Sequence, residues 1–248
     1  TTIWKGNQIS NERYKPDSQQ KNGALLRFHS SANTIQLKVG ISFISSLKAR
    51  ENVWNEIPHW SFEDTRQALM AQWENLLQRI DIASNTPEKY KRMFYTGIYH
   101  TMLMPVDRTG ENPLWSDPEH YYDDFYAIWD TYRTSTPLIT LIDPQRETDI
   151  VRSLINIYKR DGYMPDARSG NCNGRTQGGS NAEIVIADAF VKGLPNIDYH
   201  LALEAMLKDA TIPPGGNEEA EGRGGLIPYL ELGYIPYGIP RAGNRTIE

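Results

Sequence analysis

The chain has 248 residues and a formal net charge of −5 at pH 7. An acidic balance disfavours a sequence-wide attraction to nucleic acid or to anionic membranes, and no apolar run is long enough to cross a bilayer. Its single cysteine, Cys172, excludes a disulfide framework and a cysteine metal site. We therefore expect no nucleic-acid partner and no membrane partner, and the length suits one or two domains.

The first part of the chain, residues 1–50, is predicted to form β-strands. The clearest strand patterns are ALLRFHS at 24–30 and TIQLKVGISFIS at 34–45. In the second pattern, apolar side chains take every other position from Ile35 to Phe43, which is the period of a half-buried strand. Because a few strands alone are marginal in water, we interpret residues 1–50 as the last strands of a larger β-sandwich domain.

Residues 51–85 are predicted to form a helical linker. Ser61 followed by Asp64 resembles a capping box, and apolar residues follow at helical spacing (Leu69, Trp73, Leu76, Leu77 and Ile80). Thr86 and Pro87 then predict the start of the next helix, with Thr86 as its N-cap and Pro87 as its first residue.

The remainder, residues 86–248, has a helical pattern. Helices are predicted at 87–104, 134–143, 145–160, 181–193, 198–209 and 224–232, and long polar loops separate them at 105–130, 161–180 and 210–223. Loops of that length are uncommon in compact domains and usually carry function. We therefore expect an α+β chain that is mostly α, with a toroid of helices whose loops gather at one end.

The glycine-rich loop GRTQGGSN at 174–181 carries three polar side chains, Arg175, Gln177 and Asn181. Such a loop could bind a phosphate or line a pocket for an uncharged ligand. A Walker loop would close on Lys and then Ser or Thr, and a dinucleotide loop would have G-x-G-x-x-G after a strand. Neither pattern is present, so we favour the pocket for an uncharged ligand.

The helix that follows this loop is predicted to begin with a capping box formed by Ser180 and Glu183 and to end at a left-handed Gly193. Its buried face is predicted to consist of Ile184, Ala187 and Val191. Asp188 lies on the same face, and we favour a buried Asp188 that backbone donors or an arginine satisfy over a role in a site.

The segment IWDTYR at 128–133 has two interpretations. Asp130 could cap the helix that begins near Thr134, with Arg133 as its surface partner. Alternatively, Trp129 could cover the C–H face of a sugar ring while Asp130 and Arg133 bind its hydroxyl groups. The same loop adds four further aromatic rings, those of Trp115, Tyr121, Tyr122 and Tyr126. The spacing alone does not choose between the two interpretations.

Seven motifs, taken in order, resemble glycoside hydrolase family 92, the calcium-dependent, inverting, exo-acting α-mannosidases. They are FYTGIYHTMLMP (94–105), WDTYR (129–133), PLITLIDP (137–144), GRTQGGSNAEIVIADAFVKGL (174–194), LEAMLKDATIPP (203–214), EGRGGL (221–226) and GYIP (233–236). The similarity runs from about Ser42 to Glu248.

The resemblance implies an N-terminal β-sandwich that ends within residues 1–50, a linker at 51–85, and the first part of an (α/α)6 barrel at 86–248. It implies a secreted or periplasmic enzyme that removes terminal α-linked mannose from glycans, in the manner of an α-1,2-mannosidase. Its partners would be a mannose-containing glycan and either the remainder of the polypeptide or a second fragment chain.

For the site, the resemblance implies a sugar-binding wall (Trp129, Asp130, Arg133, Arg175, Gln177 and Asn181). The catalytic acid, the catalytic base and the calcium ligands are expected beyond Glu248. Two alternatives stay open at this point. The chain could belong to another (α/α)6 carbohydrate hydrolase, glucoamylase-like or trehalase-like, with Asp130 or a loop glutamate as its acid. It could also be a non-catalytic piece that only binds sugar or packs against a partner piece.

Overall fold

A computed structural model describes residues 2–6, 8–10, 21–28, 33–116, 119–174, 181–215 and 221–239. The helices are α1 (Ser46–Glu56), α2 (Phe62–Leu77), α3 (Glu88–Thr101), α4 (Ile128–Thr131), α5 (Ser135–Ile142), α6 (Pro144–Asp161), α7 (Ala182–Val191), α8 (Tyr199–Thr211) and α9 (Leu226–Leu232). The strands are β1 (Thr2–Lys5), β2 (Gln8–Ser10), β3 (Asn22–Leu25), β4 (Val106–Asp107), β5 (Tyr122–Asp123), β6 (Ala167–Ser169) and β7 (Cys172–Gly174). The chain is therefore mostly α, as the sequence predicts.

The hydrophobic core is built around α6, which packs against α5, α7, α8 and β5. Val151, Leu154 and Ile157 on α6 are almost completely buried. Local signals fix both ends of this helix: Pro144 occupies its first turn, and Gly162 follows it at φ +92°. Because one long helix contacts three others and a strand, it holds the loops at its ends in fixed positions.

The predicted helices are confirmed within a few residues. Ser61 caps α2 as expected, since its Oγ accepts a hydrogen bond of 3.2 Å from Asp64 N. The predicted start of α3 is wrong by one residue: Pro87 is the N-cap and Glu88 is the first helical residue. The Pro87 carbonyl accepts the first hydrogen bonds of the helix, from the backbone N–H groups of Tyr90 and Lys91, so Thr86 lies outside it.

The N-terminal strands differ from the prediction. β1, β2 and β3 form an antiparallel sheet in the order β2-β1-β3. Of the predicted strand at 24–30, residues 24–28 are described, and only the first two of these are in a strand. The predicted strand at 34–45 is wrong, because no described strand pairs with it and its five alternating apolar side chains are about half exposed or more. The alternation in sequence predicts which side chains share a face, but a strand also needs a neighbour for its backbone hydrogen bonds.

The buried face of α7 also differs from the prediction. Ile184 and Val191 are 45% and 83% exposed, and Ala187 is exposed as well. The buried apolar residues are instead Ala182, Val185, Ile186 and Ala189. This helix is apolar on most sides, so helical periodicity fits more than one face, and packing against α6 selects the face that is buried.

Two polar predictions for α7 have different outcomes. Asp188 is partly exposed and forms an ion pair of 2.5 Å with Lys192 one turn later, so the prediction of a buried Asp188 is wrong. Gly193 follows the helix at φ +72°, as predicted. Ser180 of the predicted capping box lies outside the described residues. Across the described ranges, no helix has both the length and the apolar character needed to span a membrane.

Candidate functional site

Two polar loops meet beside the core. The loop at 119–130 contains β5, which pairs with β4, and residues 167–174 form the hairpin of β6 and β7. Two hydrogen bonds from backbone N–H groups join them: Arg168 N donates to Phe125 O at 2.9 Å, and Gly170 N donates to Asp124 Oδ1 at 3.1 Å. The segments that lead into IWDTYR and into the glycine-rich loop are therefore fixed against each other.

A completely buried arginine, Arg168, holds this junction. Its Nε lies 3.1 Å from Asp123 Oδ2, and its Nη1 lies 2.7 Å from Asp161 Oδ2. The same guanidinium donates to Asn173 Oδ1 and to the carbonyl of Asn171. Because the planar guanidinium has donors in several fixed directions, one side chain fixes the geometry of both loops.

The carboxylate of Asp123 is equally buried and fully hydrogen-bonded. The Tyr121 hydroxyl and Asp124 N each donate to it, at 2.6 Å. Burial raises the pKa of Tyr121, so its hydroxyl keeps its proton and remains a donor. Burial lowers the pKa of Arg168, but the neighbouring Tyr121 and the Asp123 and Asp161 carboxylates outweigh it, and the net shift is upward. Each of the two buried groups therefore has hydrogen-bonding partners that compensate its burial.

A second ion pair, between Arg108 and Asp124, lies on the side of this junction that faces residues 33–45. These residues precede α1 and are called the N-terminal segment below. Asp124 has a left-handed backbone at φ +62°, a conformation that Asp tolerates better than most residues. The Arg108 guanidinium lies 3.9 Å from the centre of the Phe43 ring, which brings the segment before α1 into contact with the loop.

Glu111 also holds the loop after β4 against the segment before α1, because its carboxylate accepts hydrogen bonds from three residues. Its Oε2 accepts from Ser42 Oγ at 2.7 Å and from Phe43 N at 2.9 Å, and its Oε1 accepts from Asn52 Nδ2 at 2.7 Å. Burial raises the pKa of Glu111, but the bonds from Asn52, Ser42 and Phe43 outweigh it, so the pKa is lowered overall.

Of the predicted wall residues, Trp129 and Asp130 lie on α4 and Arg133 follows it. Asp130 is exposed, and its carboxylate accepts no hydrogen bond from the part of the chain that the structure describes. The N-cap of α5 is Thr134, so the interpretation of Asp130 as the cap of that helix is wrong. Arg133 donates to the Trp129 carbonyl and lies 4.6 Å from the centre of the Tyr132 ring.

The other predicted wall residues are only partly described. Arg175 and Gln177 lie outside the described residues, directly after the hairpin that Arg168 holds. Asn181 is buried at the start of α7, and its Nδ2 donates to no atom of the described chain. Within the described ranges, no hydrogen bond or ion pair joins Asn181 to residues 129–133.

The aromatic residues of the loop divide into two groups. Tyr121 and Tyr122 are core residues, 2% and 6% exposed, so the interpretation of these two rings as sugar-binding surfaces is wrong. They are buried because β5 packs against α6. Tyr126 is about half exposed. Trp115 is partly buried, with its ring 5.7 Å from that of Tyr121 and 5.5 Å from the Arg168 guanidinium.

The sequence did not predict Asp123 or Arg168. The one sequence signal for a buried Asp123 was the run YYDDFY at 121–126, in which two acidic residues lie between aromatic residues. Burial of the aromatic side chains brings the neighbouring acids close to the core. Two other buried acids were also missed: burial raises the pKa of Glu147 and of Asp209 to about 8. The like charges of Asp188 and Glu183, respectively, add to these shifts.

Residues 48–248 match the model of the glycosyl hydrolase family 92 catalytic domain. The matched region contains both loops and every predicted wall residue. The chain belongs to this family. The resemblance found from the sequence motifs is therefore confirmed, and membership in this family removes the alternative of a glucoamylase-like or trehalase-like hydrolase.

Relatives of this family 92 chain are longer than it is. An uncharacterized secreted glycosidase of Arthroderma benhamiae is 39% identical over 223 residues, which is 87% of this chain and 26% of the relative. A family 92 inverting mannosidase of Bacteroides thetaiotaomicron has a TM-score of 0.70 at 31% identity, over 79% of this chain and 28% of its own. A second solved family 92 glycosyl hydrolase, at 23% identity and a TM-score of 0.52, shares the fold over 69% of this chain and 26% of its own. The chain thus spans about a quarter of the length of these relatives.

Calcium is the ion that the family resemblance implies. Nowhere in the described ranges do three Asp, Glu, His or Cys side chains come together as a metal-binding group. The described residues therefore do not fit a calcium site, and calcium remains an expectation for the whole protein.

Proposed function

We propose that the whole protein is an exo-acting glycoside hydrolase that removes terminal α-linked mannose from glycans, in the manner of an α-1,2-mannosidase, by calcium-assisted inverting hydrolysis. The main support is the similarity to the Bacteroides thetaiotaomicron inverting mannosidase over 79% of this chain. The relative from Arthroderma benhamiae is named as secreted, which supports a secreted or periplasmic location.

In this proposal the chain supplies part of the sugar-binding wall. Trp129 would cover the apolar C–H face of the terminal mannose, and Asp130 and Arg133 would bind its hydroxyl groups. The exposure of Asp130 is compatible with this role, because a carboxylate without a partner in the described chain can accept hydrogen bonds from a ligand. The buried pair of Asp123 and Arg168 would keep the loop before α4 in place.

The bond-breaking groups are expected outside this chain. Inversion needs one carboxylic acid that protonates the leaving oxygen and one carboxylate that activates water, about 6.5–9.5 Å apart. We assign neither role to the buried acids Glu147 and Asp209, because both are enclosed in protein. We propose instead that both roles belong to residues that follow Glu248 in the longer protein.

The proposal is tested with the full-length protein and an aryl α-mannoside. We expect hydrolysis that chelation of calcium abolishes, and NMR of the first product should detect the β-anomer of mannose. Formation of the α-anomer first, or full activity in excess chelator, would contradict the mechanism. Binding of mannosides without turnover would support the non-catalytic alternative.

Asp130→Ala tests the sugar-binding wall. Loss of hydrogen bonds to a charged group should cost about 2–3 kcal/mol of transition-state binding, so kcat/KM should fall roughly 30- to 150-fold. The melting temperature should not change, because the Asp130 carboxylate has no partner in the described chain. Glu231→Ala, at an exposed glutamate on α9, is the control. A kcat/KM within about threefold of wild type would remove Asp130 from the site.

A further inference from the structure

The carboxylate of Asp124 joins three segments of the chain. Asp124 directly follows β5, and only 4% of its surface is exposed. Its Oδ2 forms the ion pair with Arg108, which directly follows β4. Its Oδ1 accepts the 3.1 Å hydrogen bond from Gly170 N in the hairpin of β6 and β7. Each of the two oxygens therefore holds a different segment against the loop before α4.

The backbone on either side of Asp124 is fixed as well. Asp124 N donates to Asp123 Oδ1 at 2.6 Å, and Asp123 is paired with the buried Arg168. The next residue, Phe125, is buried, and its carbonyl accepts the hydrogen bond from Arg168 N. The Asp124 carboxylate is thus presented from a backbone that is held from both sides.

The hairpin end of this contact is a tight turn. Gly170 and Asn171 connect β6 to β7, and both have left-handed backbones, at φ +59° and +64°, as in the commonest two-residue hairpin turns. Arg168 holds the strands of the hairpin, while Asp124 holds its turn. Because β7 ends at Gly174, directly before Arg175, the hairpin determines where the glycine-rich loop begins.

The loop that carries Asp124 leads to the other predicted wall residues. Ile128, 2% exposed, begins α4 four residues after Asp124, and Trp129 and Asp130 follow it. A helix of four residues is too short to be stable by itself, so the position of α4 depends on the contacts of the loop before it.

Arg108 extends the same connection to the N-terminal segment. Its guanidinium lies 3.9 Å from the centre of the Phe43 ring, and Phe43 N donates to the Glu111 carboxylate. One buried carboxylate therefore connects the N-terminal segment, the loop before α4 and the hairpin before the glycine-rich loop.

We propose that Asp124 is a positioning residue of the sugar-binding wall. It sets the separation between residues 129–133 on one side and the glycine-rich loop on the other, and it acts through these residues without touching the sugar. This inference rests on the proposed function, since it assumes that the protein acts on glycans. Substrate-binding groups work only when surrounding contacts hold them within about 0.5 Å of the productive geometry, and the burial and the two contacts of Asp124 suit that role.

A double-mutant cycle in the full-length protein tests this role. Asp124→Asn keeps the size of the side chain and tolerates the left-handed backbone, but its amide oxygen can replace only one of the two carboxylate oxygens. In the wild-type background the substitution should lower kcat/KM for an aryl α-mannoside about 10-fold, because misplaced binding groups lose much of their effect. In the Asp130→Ala background it should lower kcat/KM less than about threefold, because one of the groups that Asp124 positions is already absent.

A merely structural role predicts a different result. If Asp124 only stabilises the fold, Asp124→Asn lowers kcat/KM by the same factor in both backgrounds, and this result would overturn the inference. Asp81→Asn, at an exposed aspartate after α2, is the control and should leave kcat/KM unchanged in both backgrounds. If Asp124→Asn does not fold, Arg108→Gln, which keeps the contact with Gly170, decides by the same comparison.

The outcomes separate this inference from the proposed function. Equal factors in an active mannosidase would overturn the inference alone. If the protein hydrolyses an aryl glucoside or galactoside but no mannoside, the proposed substrate is wrong, and the cycle on that glycoside decides the role of Asp124. If it binds methyl α-mannoside without turnover, the dissociation constant replaces kcat/KM in the same cycle. A protein that neither binds nor hydrolyses any of these sugars would overturn both.

Discussion

The role of a charged residue in this chain depends on its burial more than on its charge. Arg168 and Asp123 form a pair with no exposed side-chain surface, whereas Arg66 and Glu63 on α2 form a pair that is about half exposed. A buried charge that loses its partner cannot turn to water, so the two pairs should respond very differently to the same substitution.

Asp123→Asn should destabilise the protein by about 3–5 kcal/mol, because it leaves the buried Arg168 guanidinium without one of its two carboxylates. Urea denaturation of the variant and the wild type measures this change. Glu63→Gln is the matched control and should give little or no change, since its ion pair is exposed to solvent. Equal effects of the two substitutions would show that Arg168 is compensated without Asp123.

At the scale of elements, the interface of α6 and α7 contains a buried carboxyl group, that of Glu147, whose ionised form would destabilise the interface. Glu147 lies in the first turn of α6, 1% exposed, and neither of its carboxylate oxygens has a hydrogen-bond partner in the described chain. Asp188 on α7 adds a like charge, while Lys192 and Arg146 partly offset it. The neutral, protonated form of Glu147 is therefore favoured in the folded protein.

This interface predicts a pH dependence of stability. The pKa of Glu147 is about 8 when folded, well above its ordinary value of 4.5. At pH values between 4.5 and about 8, Glu147 keeps its proton in the folded protein and loses it in the unfolded chain. The free energy of unfolding should therefore fall as the pH rises. The slope from this one group is at most about 1.4 kcal/mol per pH unit and should level off above the folded pKa.

Glu147→Gln should flatten this decline, because glutamine stays neutral at every pH. Urea denaturation at a series of pH values from 5 to about 9 measures it. Glu88→Gln, at an exposed glutamate in the first turn of α3, should keep the wild-type slope. A Glu147→Gln profile parallel to that of the wild type would mean that Glu147 ionises as easily in the folded protein as in the unfolded one.

For the molecule as a whole, the joint between the N-terminal segment and the helices is a small set of polar contacts. Glu111 and Arg108 provide the contacts at its C-terminal end, through Ser42, Phe43 and Asn52. Gln36 and Lys38 add hydrogen bonds to the carbonyls of Trp60 and Ile57. Apolar side chains of the N-terminal segment such as Val39 and Ile41 are mostly exposed, so hydrophobic burial contributes little there. The position of residues 41–45 therefore depends strongly on the Glu111 carboxylate.

Glu111→Gln should release the joint locally without unfolding the core. Glutamine places an N–H₂ group where one carboxylate oxygen accepted a hydrogen bond, which should cost about 1–2 kcal/mol at this partly exposed site. Hydrogen exchange should become faster at residues 41–45 and in α1, while α6 stays protected. Glu51→Gln, on an exposed face of α1, is the control.

The joint should also loosen in acid. The pKa of Glu111 is lowered by folding, so its contribution is present above its unfolded pKa and is lost as the pH falls through its folded pKa. The measurement is the protection factor, which corrects for the intrinsic pH dependence of amide exchange. Protection factors at residues 41–45 that do not fall on acidification would contradict this account.

Local signals in the sequence determined most of the helices of this protein and their order. They missed α4, which lies largely in the predicted loop at 105–130, and the start of α1, which lies in the segment predicted as β-strands. Ser61 caps α2 and Gly193 terminates α7 because capping chemistry acts over a few residues, which a sequence displays directly. The ordered motifs likewise determined the family.

The tertiary structure decided which faces and which charges are buried. Arg168 and Asp123 are 45 residues apart, and no periodicity relates them. The apolar helix α7 could present more than one face, and the alternating segment at 34–45 could form a strand only with a neighbour. Each outcome depends on partners that are distant in sequence, because burial and pairing are properties of the packed molecule and not of the local chain.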